Sequence, residues 1–140
     1  MTIRLRVLKP EELPSIFPLT KEANPGMTRA RFTALLKGMV SGYQCLAAFE
    51  GESMVAVSGF SIFNRFWCGK QLDIDNVIVT KTHRGRGIGE KMLRWLETHA
   101  AREQCDIIVL DAYSHNTASH RFYHREGYTI RGYHFTKDLA

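Results

Sequence analysis

The sequence predicts one domain of the α/β class (mixed α+β). Its sheet should be mixed but mostly antiparallel, with helices on both faces. Short apolar runs with period two alternate with turn residues, which is typical of strands. One long pattern with helical period stands between two of these runs. The predicted order is β-α-α-β-β-β-α-β-α-β. Because 140 residues bury one core and leave no room for a second, we expect a single domain over residues 1–140.

The first half of the chain predicts a strand, two helices and a meander. Apolar residues alternate with arginine in residues 3–7, and prolines then break up a short helical region. Thr28 is the expected N-cap of a second helix, whose apolar residues recur at helical spacing up to Gly42. Three antiparallel strands follow, at residues 43–49, 54–63 and 71–80.

The second half predicts a βαβ unit followed by a helix and a strand. A glycine-rich turn opens a long helix with one apolar face: Ile88, Met92, Leu93, Leu96 and Ala100. The next strand, residues 106–111, should lie parallel to the third meander strand, because a crossover helix joins them. Asn116 can cap a last helix that ends at Gly127, and residues 128–137 predict a final strand.

The glycine-rich turn has the chemistry of a diphosphate site. In Arg84-Gly85-Arg86-Gly87-Ile88-Gly89, glycines allow the backbone to approach a ligand, and amides at a helix N-terminus point towards it. The spacing GxGxG after an antiparallel meander does not fit the dinucleotide fingerprint, and Gly89-Glu90-Lys91 does not complete a P-loop. A plain tight turn would leave the glycines and arginines without a reason.

Two motifs make the sequence similar to the GCN5-related N-acetyltransferase (GNAT) superfamily. The signature [Q/R]-x-x-G-x-[G/A] is met by Arg84, Gly87 and Gly89. The signature N-x-x-A-x-x-F-Y-x-x-x-G-[F/Y] is met by Asn116, Phe122, Tyr123, Gly127 and Tyr128, with Ser119 replacing alanine. The resemblance covers residues 46–139. It implies the acyl-CoA N-acyltransferase fold, in which two parallel central strands splay apart, and acetyl-CoA as the acyl donor.

The sequence departs from the family pattern at two places. Lys81 stands where many members have proline. Only about a dozen residues follow Tyr128, where many members build two strands. We therefore expect one long final strand, completed by the partner in a homodimer.

The resemblance implies roles for residues on both sides of the turn. Backbone groups near Val77, Ile78 and Val79 would pair with the pantetheine arm. The diphosphate would lie on the backbone amides of Arg84, Gly85, Arg86, Gly87, Ile88 and Gly89. Asn116 would touch the pantetheine or only cap its helix. Tyr123 stands where the family places the acid that protonates the departing thiolate, although a packed aromatic is the alternative.

Acetyl transfer to an amine also needs a base, and two carboxylates on the third meander strand are the candidates. Asp73 and Asp75 alternate with Val77 and Val79, so all four should share a face, although a bulge would exchange Asp75 for Asn76. A phenol such as Tyr123 suits the acid, because its pKa of about 10 lies close to that of a thiol. Weaker candidates for the base are His115, Asp111 and His134.

The acceptor would be an amine of a small molecule or a peptide. An apolar wall of Phe63, Phe66 and Trp67 could contact it, and Arg65 and Lys70 could attract a carboxylate, although these aromatics could equally only anchor the loop. The hypothesis is thus an acetyl-CoA-dependent N-acetyltransferase. The alternatives are a catalytically silent acyl-CoA-binding module and, on the net charge of +5 alone, a nucleic-acid-binding protein without any recognisable motif.

The remaining features predict a protein without metal or membrane partners. Cys45, Cys68 and Cys105 form no CxxC pair, so we expect reduced thiols rather than a disulfide framework or a zinc site. The histidines have no partners at metal-ligand spacing. No apolar run approaches the roughly 20 residues that span a bilayer, and no leader peptide is recognisable, so the expected location is the cytoplasm.

Overall fold

The structure is a computed structural model that describes residues 2–140. Its strands are β1 (Ile3–Val7), β2 (Gln44–Glu50), β3 (Ser53–Arg65), β4 (Gly69–Ile74), β5 (Ile78–Val79) and β6 (Ile107–Leu110). Its helices are α1 (Phe17–Ala23), α2 (Arg29–Lys37), α3 (Ile88–Arg102) and α4 (Thr117–Arg125), with 3₁₀ turns at Pro10–Ile16 and Lys81–His83. Two compact units are present, one ending at Leu110 and the other comprising Asp111–Ala140.

The first unit contains one mixed sheet in the order β1-β2-β3-β4-β6, with β5 paired to β3. All pairs are antiparallel except β4 and β6, which run parallel from Gln71 opposite Ile107 to Ile74 opposite Leu110. The parallel pair flanks the crossover helix α3, as the sequence predicts. The mixed, mostly antiparallel sheet is therefore confirmed.

Helices cover both faces of this sheet. On one face, α1 and α2 bury a cluster with β2, β3 and β5: Leu19, Phe32, Cys45, Ala47, Phe49, Val57 and Ile78. Thr28 caps α2 as predicted, because its hydroxyl accepts a hydrogen bond from the Arg31 amide at 3.1 Å. On the other face, Phe60 contacts the Trp95 and His99 rings of α3 at 6.3 and 5.6 Å between centroids. All five predicted apolar-face residues of α3 are buried.

Three predicted elements differ from the structure. Helix α2 ends at Lys37, with Gly38 as its C-cap, rather than at Gly42. The third meander strand is divided into β4 and β5. The predicted final strand is wrong, because residues 128–140 form no strand. Alternation of apolar and polar residues predicts the directions of the side chains in a strand. A strand also needs a neighbouring strand for its backbone hydrogen bonds, and the alternation does not predict one.

The prediction of a single domain over residues 1–140 stays a prediction. Large apolar side chains in the last part of the chain are exposed: Ile130, Tyr133, Phe135 and Leu139.

Candidate active site

The glycine-rich turn forms an open cradle at the start of α3. Gly85 and Gly87 have φ angles of +75° and +78°, which side chains with a Cβ rarely adopt. A Cβ built at either position would have no protein atom within 4 Å, so no side chain occupies the space beside these two glycines. Gly87 is the N-cap of α3 and offers no capping side chain. The first amides of the helix have no intrahelical acceptor, and together with the helix dipole they favour an anionic ligand.

A carboxylate from α1, which the sequence analysis missed, holds the segment that leads into this turn. Glu22 accepts hydrogen bonds from the Lys81 amide at 2.7 Å and from the Thr80 hydroxyl at 2.9 Å. These bonds lower the pKa of Glu22, the Lys81 amide most of all. The Arg84 guanidinium donates to the Val79 carbonyl at 3.0 Å and lies 3.7 Å from Glu22. Arg84 therefore holds the turn with its side chain, while the backbone of the turn stays open.

A β-bulge separates β4 from β5 immediately before this turn. Asp75 lies opposite Gly59, and Ile78 lies opposite Val57, so Asn76 and Val77 together face the single residue Ser58. The bulge is held by Asn76, whose side-chain oxygen accepts from the Gly59 amide at 3.0 Å and whose carbonyl accepts from the Ser58 hydroxyl at 2.7 Å. The sequence analysis considered Asn76 only as the residue that would replace Asp75 on the face of the strand that carries Asp73.

The bulge also opens the sheet. The β4–β6 ladder ends at Ile74 opposite Leu110, and β5 pairs with β3 and with no other strand in residues 2–140. One edge of β5 is thus left without a protein strand. An extended ligand could add to the unpaired edge as a strand would.

The bulge changes which residues share a face with the two carboxylates. Asp73 and Asp75 do lie on one face, but after the bulge that face continues with Ile78 and not with Val77 and Val79. The predicted sharing with the two valines is therefore wrong, because alternation loses its phase at an inserted residue. Asp73 accepts from the Gln71 side chain at 3.4 Å. Partial burial raises the pKa of Asp75 above its ordinary value, although its side chain still reaches solvent.

The second unit carries Asn116 and Tyr123. The Asn116 side chain accepts from the Ser119 amide at 3.1 Å, so it caps α4. The Tyr123 ring packs against Phe122 and Tyr128 at 5.2 and 6.0 Å between centroids. Burial raises the pKa of the Tyr123 phenol, so the hydroxyl keeps its proton at neutral pH.

The weaker candidates for the base make local contacts in the same unit. His134 and Asp111 lie 3.5 Å apart and are both exposed, and the His115 ring stacks on Tyr113 at 5.5 Å between centroids.

The side chains proposed for the acceptor wall are distributed around the β3–β4 hairpin. Phe66 and Trp67 are exposed in its turn, and the Arg65 guanidinium lies 5.1 Å above the Phe63 ring. The Lys70 ammonium donates to the Glu103 carbonyl at 2.6 Å, which ties β4 to the end of α3. Of the two cations considered for the acceptor, Lys70 is thus already engaged.

Within residues 2–140 no three His, Cys, Asp or Glu side chains are grouped to hold a metal ion. All three cysteines are free. No helix in this part of the chain has the length and apolar character to cross a bilayer.

Several solved structures share this fold. An aminoglycoside acetyltransferase from an uncultured soil metagenomic sample superposes with a TM-score of 0.83 over all of both chains, at 20% identity. An aminoglycoside N-acetyltransferase in complex with CoA gives 0.80 at 16% identity, over 99% of this chain and 96% of that one. The ribosomal-protein-alanine N-acetyltransferase of Brucella melitensis gives 0.82 at 15% identity, over 99% and 100%.

Sequence comparison identifies the family. The model of the acetyltransferase (GNAT) family matches residues 13–128. The chain is also 32% identical over 97 residues to the aminoalkylphosphonate N-acetyltransferase of Salmonella typhimurium, and 30% identical over 97 residues to glucosamine 6-phosphate N-acetyltransferase 1 of rice, Oryza sativa. Each match covers 67% of this chain but only 61% and 56% of the respective relative. The chain belongs to the GNAT acetyltransferase family.

Proposed function

We propose that the protein is an N-acetyltransferase that moves the acetyl group of acetyl-CoA to a primary amine by direct attack. The observation that carries this proposal is that two sites with available backbone groups follow each other along the chain. The first is the unpaired edge of β5, and the second is the N-terminus of α3, which has no capping side chain. An acyl-CoA has the same order of groups, an amide-containing arm followed by a diphosphate.

Backbone groups would hold most of the acyl donor. The residues Val77, Ile78 and Val79 would pair with the pantetheine amides, since the bulge and the free edge of β5 leave backbone groups available. The diphosphate would lie against the amides from Arg84 to Gly89, where the open glycines and the helix N-terminus fit it. Arg86 is exposed and adds positive charge there. Asn116 would act first as a helix cap.

Asp75 is the proposed base. A neutral amine forms the new C–N bond, the C–S bond to coenzyme A breaks, and the nitrogen gives up one proton. A carboxylate with a raised pKa is better matched to that proton than an ordinary one. Asp73, two residues earlier on the same face, is the alternative base, acting through water.

Tyr123 is the proposed acid for the departing sulfur. Its phenol keeps its proton at neutral pH, and phenol and thiol have ordinary pKa values of about 10 and 8.5. A proton supplied there balances the one that leaves the amine. Packing against Phe122 and Tyr128 would fix the ring orientation.

The acceptor is proposed to be a small-molecule primary amine. The names of the two curated relatives specify an aminoalkylphosphonate and a glucosamine phosphate as their acceptors, and both combine an amine with a phosphorus oxyanion. Arg65, stacked on Phe63, could attract such an anion. A peptide amine is the second acceptor class to assay.

A homodimer is the proposed assembly. The apolar side chains of Ile130, Tyr133 and Phe135 are exposed, and a second copy would cover them. Light scattering should report twice the monomer mass of 16.0 kDa. A monomer at all concentrations up to the millimolar range would contradict the assembly without affecting the proposed reaction.

Calorimetric titration with acetyl-CoA, with CoA and NADH as comparison ligands, tests the donor site first. Thiol release is then measured with 2-aminoethylphosphonate, glucosamine 6-phosphate, simple alkylamines and peptides. We expect binding of acetyl-CoA, no binding of NADH, and release with at least one amine. Binding without release from any amine would indicate an acyl-CoA-binding module instead. No binding of acetyl-CoA would overturn the proposal.

A further inference from the structure

One partly buried tyrosine outside the family signatures lies beside the proposed base. Tyr43 directly precedes β2, after a turn in which Gly42 has a φ of +85°. Its ring crosses over Gly59 on β3. A Cβ at position 59 would collide with the Tyr43 hydroxyl and would approach Cζ and Cε1 to 2.7 and 2.9 Å. Glycine at position 59 is thus explained by this close approach, because it leaves room for the phenol.

The phenol and the proposed base are neighbours. Asp75 is directly across from Gly59, since its amide donates to the Gly59 carbonyl at 2.8 Å. The pKa of Tyr43 is raised, first by burial and then by the nearby Cys45 and Asp75. Tyr43 is therefore a neutral phenol across the physiological range.

The Tyr43 hydroxyl has no hydrogen-bond partner within residues 2–140, either from backbone or from side chains. The hydroxyl oxygen is not fully buried, so water or a ligand can reach it and form its hydrogen bond. If the ring served only to pack over Gly59, phenylalanine would serve equally well. The free hydroxyl next to a carboxylate is the feature that packing does not explain.

We propose that Tyr43 and Asp75 together bind the amino group of the acceptor, an inference that rests on the proposed function. The phenol oxygen accepts one N–H of the amine, and the Asp75 carboxylate accepts another and takes that proton. Tyr43 neither gains nor loses a proton. A neutral primary amine has two N–H groups and can satisfy both oxygens at once, whereas a secondary amine has only one and a tertiary amine has none. The pair thus selects for primary amines.

Tyr43→Phe tests the hydrogen bond, and Gly59→Ala tests the position of the ring, which the added methyl would displace. Steady-state kinetics are measured with whichever of 2-aminoethylphosphonate, glucosamine 6-phosphate or butylamine the wild type acetylates. We expect the KM for the amine to rise about five- to tenfold in both variants, as for loss of one hydrogen bond between neutral groups. The calorimetric Kd for acetyl-CoA should stay unchanged.

A second measurement does not depend on turnover. The same amine is titrated calorimetrically into protein saturated with CoA, and Tyr43→Phe should weaken its binding by a similar factor. Tyr113→Phe, which changes an exposed tyrosine, is the matched control. An unchanged KM and unchanged amine affinity in Tyr43→Phe would overturn the assignment of Tyr43 and leave the proposed function standing. A wild type that acetylates neither these amines nor a peptide amine would instead overturn the proposed function, and the inference with it.

Discussion

The backbone amide of Gly59 donates a hydrogen bond of 3.0 Å to the side-chain oxygen of Asn76. This bond takes the place of a strand-to-strand bond at the bulge, where the backbone of the third meander strand moves out of register with β3. Next to this bulge, Asp75 lies opposite Gly59, the residue that the ring of Tyr43 covers. One amide side chain therefore determines both the opening of the sheet and the position of the proposed base.

Replacing Asn76 by alanine should close or disorder the bulge. The Gly59 amide would lose its acceptor, and leaving a partly buried amide unpaired costs about 1–3 kcal/mol. We expect a lower midpoint in urea denaturation and weaker binding of acetyl-CoA in calorimetry. Asn64→Ala, at an exposed position on the same β3–β4 hairpin, should change neither. Full acetyl-CoA affinity in Asn76→Ala would mean that donor binding does not depend on the bulge.

The proposed diphosphate cradle is tested by a charge placed in its open space. Gly87→Asp puts a carboxylate where the diphosphate would lie, so acetyl-CoA binding should fall by more than tenfold. A non-glycine residue at this positive φ also costs about 1–2 kcal/mol of stability. Gly51→Asp is the matched control, because Gly51 also has a positive φ and open surroundings but lies in the β2–β3 turn. Equal loss of affinity in both variants would indicate a general effect of instability.

Much of this arrangement could be predicted from local sequence, and the rest depends on contacts distant in the chain. The glycine-rich turn and α3 were predictable, because their signals lie within about twenty consecutive residues. Glu22 was not, since it bonds to Thr80 and Lys81, nearly sixty residues away. Tyr43 was missed for the same reason, because only the fold brings its ring over Gly59.

Two wrong predictions have a different cause. The prediction that Val77 and Val79 share a face with Asp73 and Asp75 failed at the bulge, where one inserted residue reverses the alternation of side chains. The final strand failed because alternating residues near Ile130 and Tyr133 indicate strand propensity without a partner strand.

Glu22 should make the stability of the protein depend on pH below its ordinary pKa. Its pKa is lowered from the ordinary 4.5 in the folded protein, mainly by the Lys81 amide. The ionised carboxylate therefore stabilises the fold at neutral pH, and this contribution is lost as the pH falls from about 4.5 through the folded value. In urea denaturation, Glu22→Gln should be less stable than wild type at pH 7, and the difference should shrink towards pH 3. A difference independent of pH would contradict the charge-based explanation.

Asp75→Asn should separate activity from stability. Loss of the proposed base should lower kcat by about 100-fold or more. Because burial raises the pKa of Asp75 from its ordinary 3.8, its charge destabilises the folded state at neutral pH. The variant should therefore be more stable than wild type at pH 7, and this gain should vanish as the pH falls below about 3.8.

Asp73→Asn is the matched control for the identity of the base. It changes the neighbouring carboxylate on the same face and should reduce kcat much less. If Asp73→Asn is the more damaging variant, the roles of the two aspartates are exchanged.

Tyr123→Phe should reduce turnover and spare binding of the donor. The variant keeps the ring that packs on Phe122 and Tyr128 but removes the proton offered to the departing thiolate. We expect kcat to fall by about 100-fold or more, the typical contribution of a general acid, with an unchanged Kd for acetyl-CoA. Tyr113→Phe, at an exposed position of the same unit, should behave as wild type. Because burial raises the pKa of Tyr123, any fall in wild-type kcat through loss of this proton should begin at a higher pH than it would for an ordinary tyrosine. Wild-type kcat in Tyr123→Phe would mean that water protonates the thiolate, and the tyrosine would then have only a packing role.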